Sequence, residues 1–161
     1  MLLVVPGRLN PALVREIQRF RAEIYSADGV TVSNDPDERS YHVAIYVEGR
    51  LAGCLRYTPL GQRTARIGGW CVASEHRHTR VALDLALTPF RLARSLGDTR
   101  GFAYATTRHG SARLLRKLGG RVVRTRFDPA YGCEMQELEF TLSAAPSAHV
   151  PGPRPDLPRA A

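Results

Sequence analysis

Between Tyr25 and Tyr41 the hydrophobic period of this chain switches from helical to alternating, which excludes both an all-helical and an all-strand architecture. On the N-terminal side Leu13, Ile17, Phe20 and Ile24 recur at helical spacing. Asn10-Pro11 ahead of them supplies an N-cap and a proline for the first helical position, so the spacing predicts a helix running to about Tyr25. Leu2 to Val5 reads as a short strand closed by Pro6-Gly7, and the polar stretch Ser26 to Ser40 as a loop. From Tyr41 the period is two. His42 to Val47 reads as a strand, Glu48-Gly49-Arg50 as a turn, Leu51 to Thr58 as the return strand, Pro59 to Thr64 as a further turn and Arg66 to Ala73 as the next strand.

After the polar bridge Ser74 to Thr79 the helical period returns from Arg80 to about Leu96, with Val81, Leu85, Thr88 and Leu92 on one face. Pro89 inside it removes a backbone donor and is expected to kink the helix or split it in two. A strand at Gly101 to Thr107, a short helix at Ser111 to Leu118 ended by Gly119-Gly120, and strands at Arg121 to Phe127 and Glu134 to Leu142 complete the pattern. The order β-α-β-β-β-α-β-α-β-β predicts a mixed α/β fold with a mostly antiparallel central sheet flanked by helices.

The chain has 161 residues, 43% of them apolar, enough for one core. Residues 1–142 are expected to form a single domain, and the Pro- and Ala-rich residues 143–161 a disordered tail. No apolar run reaches the roughly 18 residues of a membrane span, and the apolar start Met1 to Pro6 lacks the basic flank and cleavage site of a signal peptide. A cytoplasmic location is therefore expected. Cys54, Cys71 and Cys133 are widely spaced and odd in number, and read as buried reduced thiols. His42, His76, His78, His109 and His149 form no metal-spaced set, so no metal is expected.

Formal net charge is +8, almost all of it arginine, since Lys117 is the single lysine. That balance suits nucleic acid, an acidic carrier protein or a phosphate-bearing cofactor. No helix-turn-helix, zinc-finger or exposed-aromatic strand signature accompanies it, which argues against a nucleic-acid-binding module.

The chemistry-bearing stretch is Ala65 to Gly120. A strand ends at Val72-Ala73, the polar turn Glu75 to Thr79 follows, and a helix begins at Arg80. Such an arrangement aims several backbone N–H groups and a helix dipole at one point, where phosphate binds. Here the sequence resembles the GNAT superfamily of N-acyltransferases. Arg77-His78-Thr79-Arg80-Val81-Ala82 is similar to the family's cofactor motif, Gln/Arg-x-x-Gly-x-Gly/Ala, with Arg80 at the middle glycine, and Lys117-Leu118-Gly119 matches its second element. The resemblance covers residues 10–142. It implies an acyltransferase in which Arg77 to Ala82 cradle the phosphate of a phosphopantetheine thioester and Gly69, Trp70, Cys71 and Val72 form the edge along which its arm runs. A free backbone N–H near Cys71 or Val72 would then polarise the thioester carbonyl. Trp70 is expected to line an acyl pocket or to belong to the core. Leu115 stands about where many members carry a tyrosine acid; a thiolate leaving group needs little help from one.

The N-terminal half is similar to a particular branch of that superfamily. Arg21-Ala22-Glu23-Ile24-Tyr25, the acidic Asp35-Pro36-Asp37-Glu38 and Gly53-Cys54-Leu55-Arg56-Tyr57-Thr58-Pro59 follow the order seen in acyl-homoserine-lactone synthases and, more closely, N-acyl amino acid synthases. This resemblance implies an acyl-CoA or acyl carrier protein donor and an amino acid or similar small amine as acceptor. Arg56 is expected to hold the acceptor's carboxylate, and Arg21 to do the same or to fix the loop. Asp35, Asp37 or Glu38 would hold its ammonium and take its proton. A structural ion pair between these arginines and the loop is the alternative, and Glu75 is a second candidate base or a helix-end residue. Arg77, Arg80, Arg91, Arg94, Arg113, Arg116 and Lys117 would steer an acidic carrier protein, or form a generic basic face. An ordinary acetyl-CoA-dependent acetyltransferase, transfer to a peptide or lysine side chain, and an inactive carrier-protein adaptor are the other readings.

Overall fold

The computed structural model describes residues 1–30, 39–108 and 110–143. Seven strands form one sheet in the order β1-β2-β3-β4-β5-β7-β6. They are β1 (Leu2–Pro6), β2 (Tyr41–Val47), β3 (Arg50–Gly61), β4 (Thr64–Val72), β5 (Arg100–Thr106), β6 (Arg121–Asp128) and β7 (Cys133–Thr141), and three helices flank them: α1 (Pro11–Ala27), α2 (Arg80–Leu96) and α3 (Ser111–Lys117). The element order is the one the periodicity predicts, and every neighbouring pair is antiparallel except β4 and β5. No helix among the described residues is long and apolar enough to cross a membrane.

Local signals set the helix ends. The Asn10 side chain accepts from Leu13 N at 3.0 Å with Pro11 just inside the helix, and Thr79 caps α2 by accepting from Val81 N at 3.2 Å. Gly97 closes α2 in the left-handed conformation, at φ 77°. Two expectations are corrected. Pro89 does not split α2, which is one helix from Arg80 to Leu96. Only one backbone donor is lost there, and the buried packing of Leu85, Pro89, Phe90 and Ala93 holds both halves of the helix against the sheet. Nor do Pro59 to Thr64 all form a turn. β3 runs on to Gly61 and β4 starts at Thr64, leaving a two-residue loop, Gln62-Arg63, with both residues at positive φ (50° and 57°), the twist a tight hairpin needs. Arg63 is anchored there: its carbonyl accepts from Thr99 N and Arg100 N, and its Nε donates to Gly97 O.

Strand alternation divides the sheet's two faces. Val43, Leu55, Tyr57, Ile67, Ala103 and Leu138 point to one face and meet Leu85 and Phe90 of α2 and Leu115 of α3 in the main core. Burying a side chain such as Leu85, fully inaccessible, contributes about 1.5–3 kcal/mol. The Tyr57 hydroxyl inside this core donates to Asp98 Oδ2 at 2.7 Å. Ala44, Cys54 and Cys71 point to the other face and meet Leu13 and Ile17 of α1 in a smaller cluster. All three cysteines are buried and unbridged.

Candidate active site

The parallel pairing of β4 and β5 lasts only from Thr64↔Arg100 to Ile67↔Ala103. Beyond it, Gly68-Gly69 breaks the β4 ladder: the register with β3 slips between Cys54↔Cys71 and Arg56↔Gly68, and Gly69 takes φ 58°. β4 therefore departs from β5, which continues to Thr106 on its other partner, β7. The gap is a cleft of about 430 Å³ that reaches both faces of the sheet. Ile67, Ala103, Ala105 and Leu115 line its core side. By strand alternation Arg56, Arg66, Phe102, Tyr104 and Glu137 line the α1 side.

Alternation also sorts the amides of β4. Ala73 N donates to Ala52 O of β3 at 2.9 Å, so the amide of Val72 faces the opposite edge, where β5 has withdrawn. Arg77 Nε reaches the Val72 carbonyl on that edge, at 3.4 Å. Of the two candidates, Cys71 and Val72, the outward N–H is thus that of Val72; Cys71 turns its amide to β3 and its thiol to α1. Burial pushes the Cys54 thiol up. Burial works against ionising Cys71 too, yet hydrogen bonds from Cys54 and Tyr25 and the Arg21 charge hold it below the ordinary thiol value.

From Val72 the chain passes through a short 3-10 turn, Ser74–His76, into the N-terminus of α2. Thr79 closes the corner by donating to His76 O at 2.9 Å. Arg77 N and Thr79 N are used within the turn, and Val81 N by the Thr79 cap. The amides of Arg80 and Ala82, in the first turn of the helix, have no intrahelical acceptor and remain for an anion. The Arg77 guanidinium ties this corner to the end of α1 through Asp28 at 3.5 Å, whereas the Arg80 side chain is 86% exposed and lies along the helix beside Asp84. His78 is exposed beside them.

Arg21 is 5% exposed and sits behind the bulge, so close that a Cβ at Gly69 would lie 2.5 Å from its Nη1. Arg56 lies in the cleft, with Nη2 against Gly68. Trp70 lines the cleft, packs partly on the main core, and accepts from the Tyr25 hydroxyl through its carbonyl at 3.2 Å. Asp35, Asp37 and Glu38 lie outside the described residues. Glu75 lies away from the cleft, in a separate depression with Val47 and Arg50; its own backbone N–H and the Ser74 hydroxyl hold its carboxyl below the usual range.

Sequence reasoning passed over Phe102, Tyr104 and Tyr131, which line the cleft. The first two carried a signal: Phe102-Ala103-Tyr104-Ala105 alternates aromatic and small residues, the mark of a strand with one tightly packed and one open face. Tyr131 stood in a segment that reads only as a loop. Its phenol is pushed up by burial and by the Asp128 carboxylate beside it.

Residues 10–119 match the family model described as the acetyltransferase (GNAT) family. No curated protein matches the chain. Among solved structures it is similar to Escherichia coli ElaA, with 12% identity and a TM-score of 0.73 over 86% of this chain and 98% of that one. It is similar to FeeM, an N-acyl amino acid synthase from uncultured soil microbes, at 9% identity and TM-score 0.67 over 88% and 95%. It is also similar to MesI, a CoA-dependent acyl-homoserine lactone synthase, at 14% and 0.67 over 90% of each. At these identities the likeness is one of fold.

Proposed function

This chain belongs to the GNAT acetyltransferase family and is an N-acyltransferase, and on that premise we propose that it moves an acyl group from acyl-CoA or an acyl carrier protein to the amine of an amino acid or similar small molecule. One observation carries this reading: Gly68, Gly69 and Trp70, the stretch of β4 that leads to the outward Val72 amide and on to the α2 N-terminus, line the same cleft as Arg56. In this reading the phosphate of the pantetheine arm rests on the Arg80 and Ala82 amides, and the arm runs along Gly69 to Val72. The Val72 N–H takes the charge that develops on the thioester oxygen as nitrogen attacks. The carbon–sulfur bond then breaks and the thiol departs; no phenol is needed at the Leu115 position, because a thiolate is a good leaving group.

Arg56 and Arg66 make the α1 side of the cleft positive, which favours an acceptor with a carboxylate. FeeM, an N-acyl amino acid synthase, and MesI, a CoA-dependent acyl-homoserine lactone synthase, are similar in fold, which supports an acyl donor and a small acceptor. Thermal unfolding with acetyl-CoA, a long-chain acyl-CoA and acyl carrier protein tests the reading. A ligand at about 100 times its Kd stabilises by roughly 2.7 kcal/mol, a rise of several degrees. A rise with the long-chain or carrier-bound donor, and little with acetyl-CoA, is expected. A rise with acetyl-CoA alone makes the protein an ordinary acetyltransferase. No rise with any donor, together with salt-steep DNA binding, overturns the reading.

A further inference from the structure

Acyl transfer must remove a proton from the acceptor nitrogen, and the cleft holds a group suited to receive it. Along β7, Leu138 and Phe140 point into the main core, so Glu137 and Glu139 point to the opposite, open face. The two carboxylates differ in their commitments. Glu139 is held by Arg100 and Arg121, each at 2.6 Å. Glu137, half-buried in the cleft wall, makes no ion pair or hydrogen bond with the described residues, and it is the one carboxylate among those lining the cleft.

Of the neighbours of Glu137, Arg124 stands opposite it on β6 and is exposed, and Tyr104 and Arg126 are bound to each other. Tyr104, its partner across the β5–β7 ladder, accepts from Arg126 Nε at 2.7 Å and donates to Asp128 Oδ2 at 3.2 Å, and the Arg126 guanidinium lies 5.0 Å over the Tyr104 ring. Asp128 also accepts from Ala130 N at 3.0 Å, which fixes the loop that carries Tyr131 to the cleft. Arg126 is thus hydrogen-bonded to the tyrosine while its charge also attracts Glu137, and both line the cleft. Arg56 and Arg66 lie on the same sheet face, across the gap on β3 and β4. Opposite charges at the two sides of one cleft fit a zwitterion.

We propose that Glu137 is the acceptor-side base, holding the incoming ammonium and receiving its protons; this rests on the acyl-transfer reading above. The ammonium first loses one proton through Glu137 to solvent. The neutral nitrogen then attacks the thioester carbon, the carbon–nitrogen bond forms, and the carbonyl π pair moves onto oxygen. The nitrogen, now cationic, passes its second proton to the Glu137 carboxylate. The oxygen pair returns, the carbon–sulfur bond breaks, and sulfur leaves with the bonding electrons and takes that proton as the free thiol. The balance is one amide, one thiol and one proton released.

The test measures thiol release from acetyl-CoA and octanoyl-CoA with two nucleophiles: a mixture of the twenty amino acids, which arrive as ammonium ions, and hydroxylamine, which arrives largely neutral at pH 7 and is so weakly basic that its cationic adduct gives its proton directly to water. In Glu137→Gln the amino-acid rate falls by about 10²–10⁴-fold, the hydroxylamine rate stays within about threefold, and the thermal shift given by the donor is unchanged. Glu137→Asp recovers part of the amino-acid rate, and Glu139→Gln keeps both rates. A Glu137→Gln enzyme that keeps its amino-acid rate, or that loses both rates equally, overturns the assignment. Wild-type protein that releases thiol with neither nucleophile overturns the acyl-transfer reading itself, and this assignment with it.

Discussion

The two faces of the sheet differ in how completely they are covered. The face under α2 and α3 is filled along its length, from Val43 on β2 to Leu138 on β7. The other face is covered by α1 only over β1 to β4; across β5, β7 and β6 it carries Arg100, Phe102, Tyr104, Arg126, Glu137 and Glu139. The cleft opens where these regimes meet. The covered face supplies rigidity through close packing, and the uncovered one supplies charge to a site whose geometry that packing fixes. Substitutions on the first should therefore act on stability, and on the second on chemistry.

The largest stability effect belongs to Leu85→Ala, which leaves a cavity at the centre of the main core and should cost about 2–5 kcal/mol by denaturant unfolding. A pair of glycines sharpens the comparison. A Cβ at Gly53 would meet Leu85 Cδ1 at 2.6 Å and Cys71 O at 3.2 Å, so Gly53→Ala should destabilise by about 1–3 kcal/mol. A Cβ at Gly68 would meet only Arg56 Nη2, at 3.9 Å, so Gly68→Ala should leave the unfolding midpoint nearly unchanged. Equal losses at the two positions would break the comparison.

On the open face, Arg56→Ala should raise the acceptor KM by about 10- to 100-fold, the worth of a charged hydrogen-bonded pair, while the donor's thermal shift persists. An unchanged KM removes Arg56 from the acceptor site. Arg80→Gly, which restores the family glycine, should act more weakly: slightly weaker binding of a carrier protein and equal or better binding of coenzyme A, read by titration.

The smallest effect is one of pH. Arg100 and Arg121 hold the Glu139 carboxyl below its ordinary value. Its folded pKa is depressed, so its contribution is present above the unfolded value of about 4.3 and is lost as pH falls through the folded one. Glu139→Gln should flatten the acid limb of the stability profile below that point and leave it unaltered near neutrality. An acid limb identical to wild type would show that this exposed network contributes nothing measurable.

The element order was legible because its signals are local. Asn10-Pro11 starts α1, Thr79 and Gly97 bracket α2, and the change of period at Tyr41 separates helix from strand. The corner between β4 and α2 could be read for the same reason: a strand, a polar turn and a helix start lie within a dozen residues. The turn at Gln62-Arg63 reads too wide in the sequence, as Pro59 to Thr64, because neither residue is a turn former; that loop is held by Thr99, Arg100 and Gly97, far along the chain. Arg21 reads as a group that holds the acceptor's carboxylate or fixes the loop; its burial behind Gly69 leaves no mark around position 21, because it depends on a residue 48 positions further along the chain.

What the sequence by itself determined, then, is the succession of strands and helices, the family, and the strand–turn–helix corner proposed for the phosphate, because each depends on propensity and spacing within a few residues. Only the tertiary structure decided that β4 leaves β5 after four paired residues, that the outward amide is that of Val72, and that Glu137 and Arg56 border one cleft while Glu139 is held by two arginines. Those outcomes depend on strand register and on which stretch of sheet a helix covers, and both are set by contacts between residues distant in the chain.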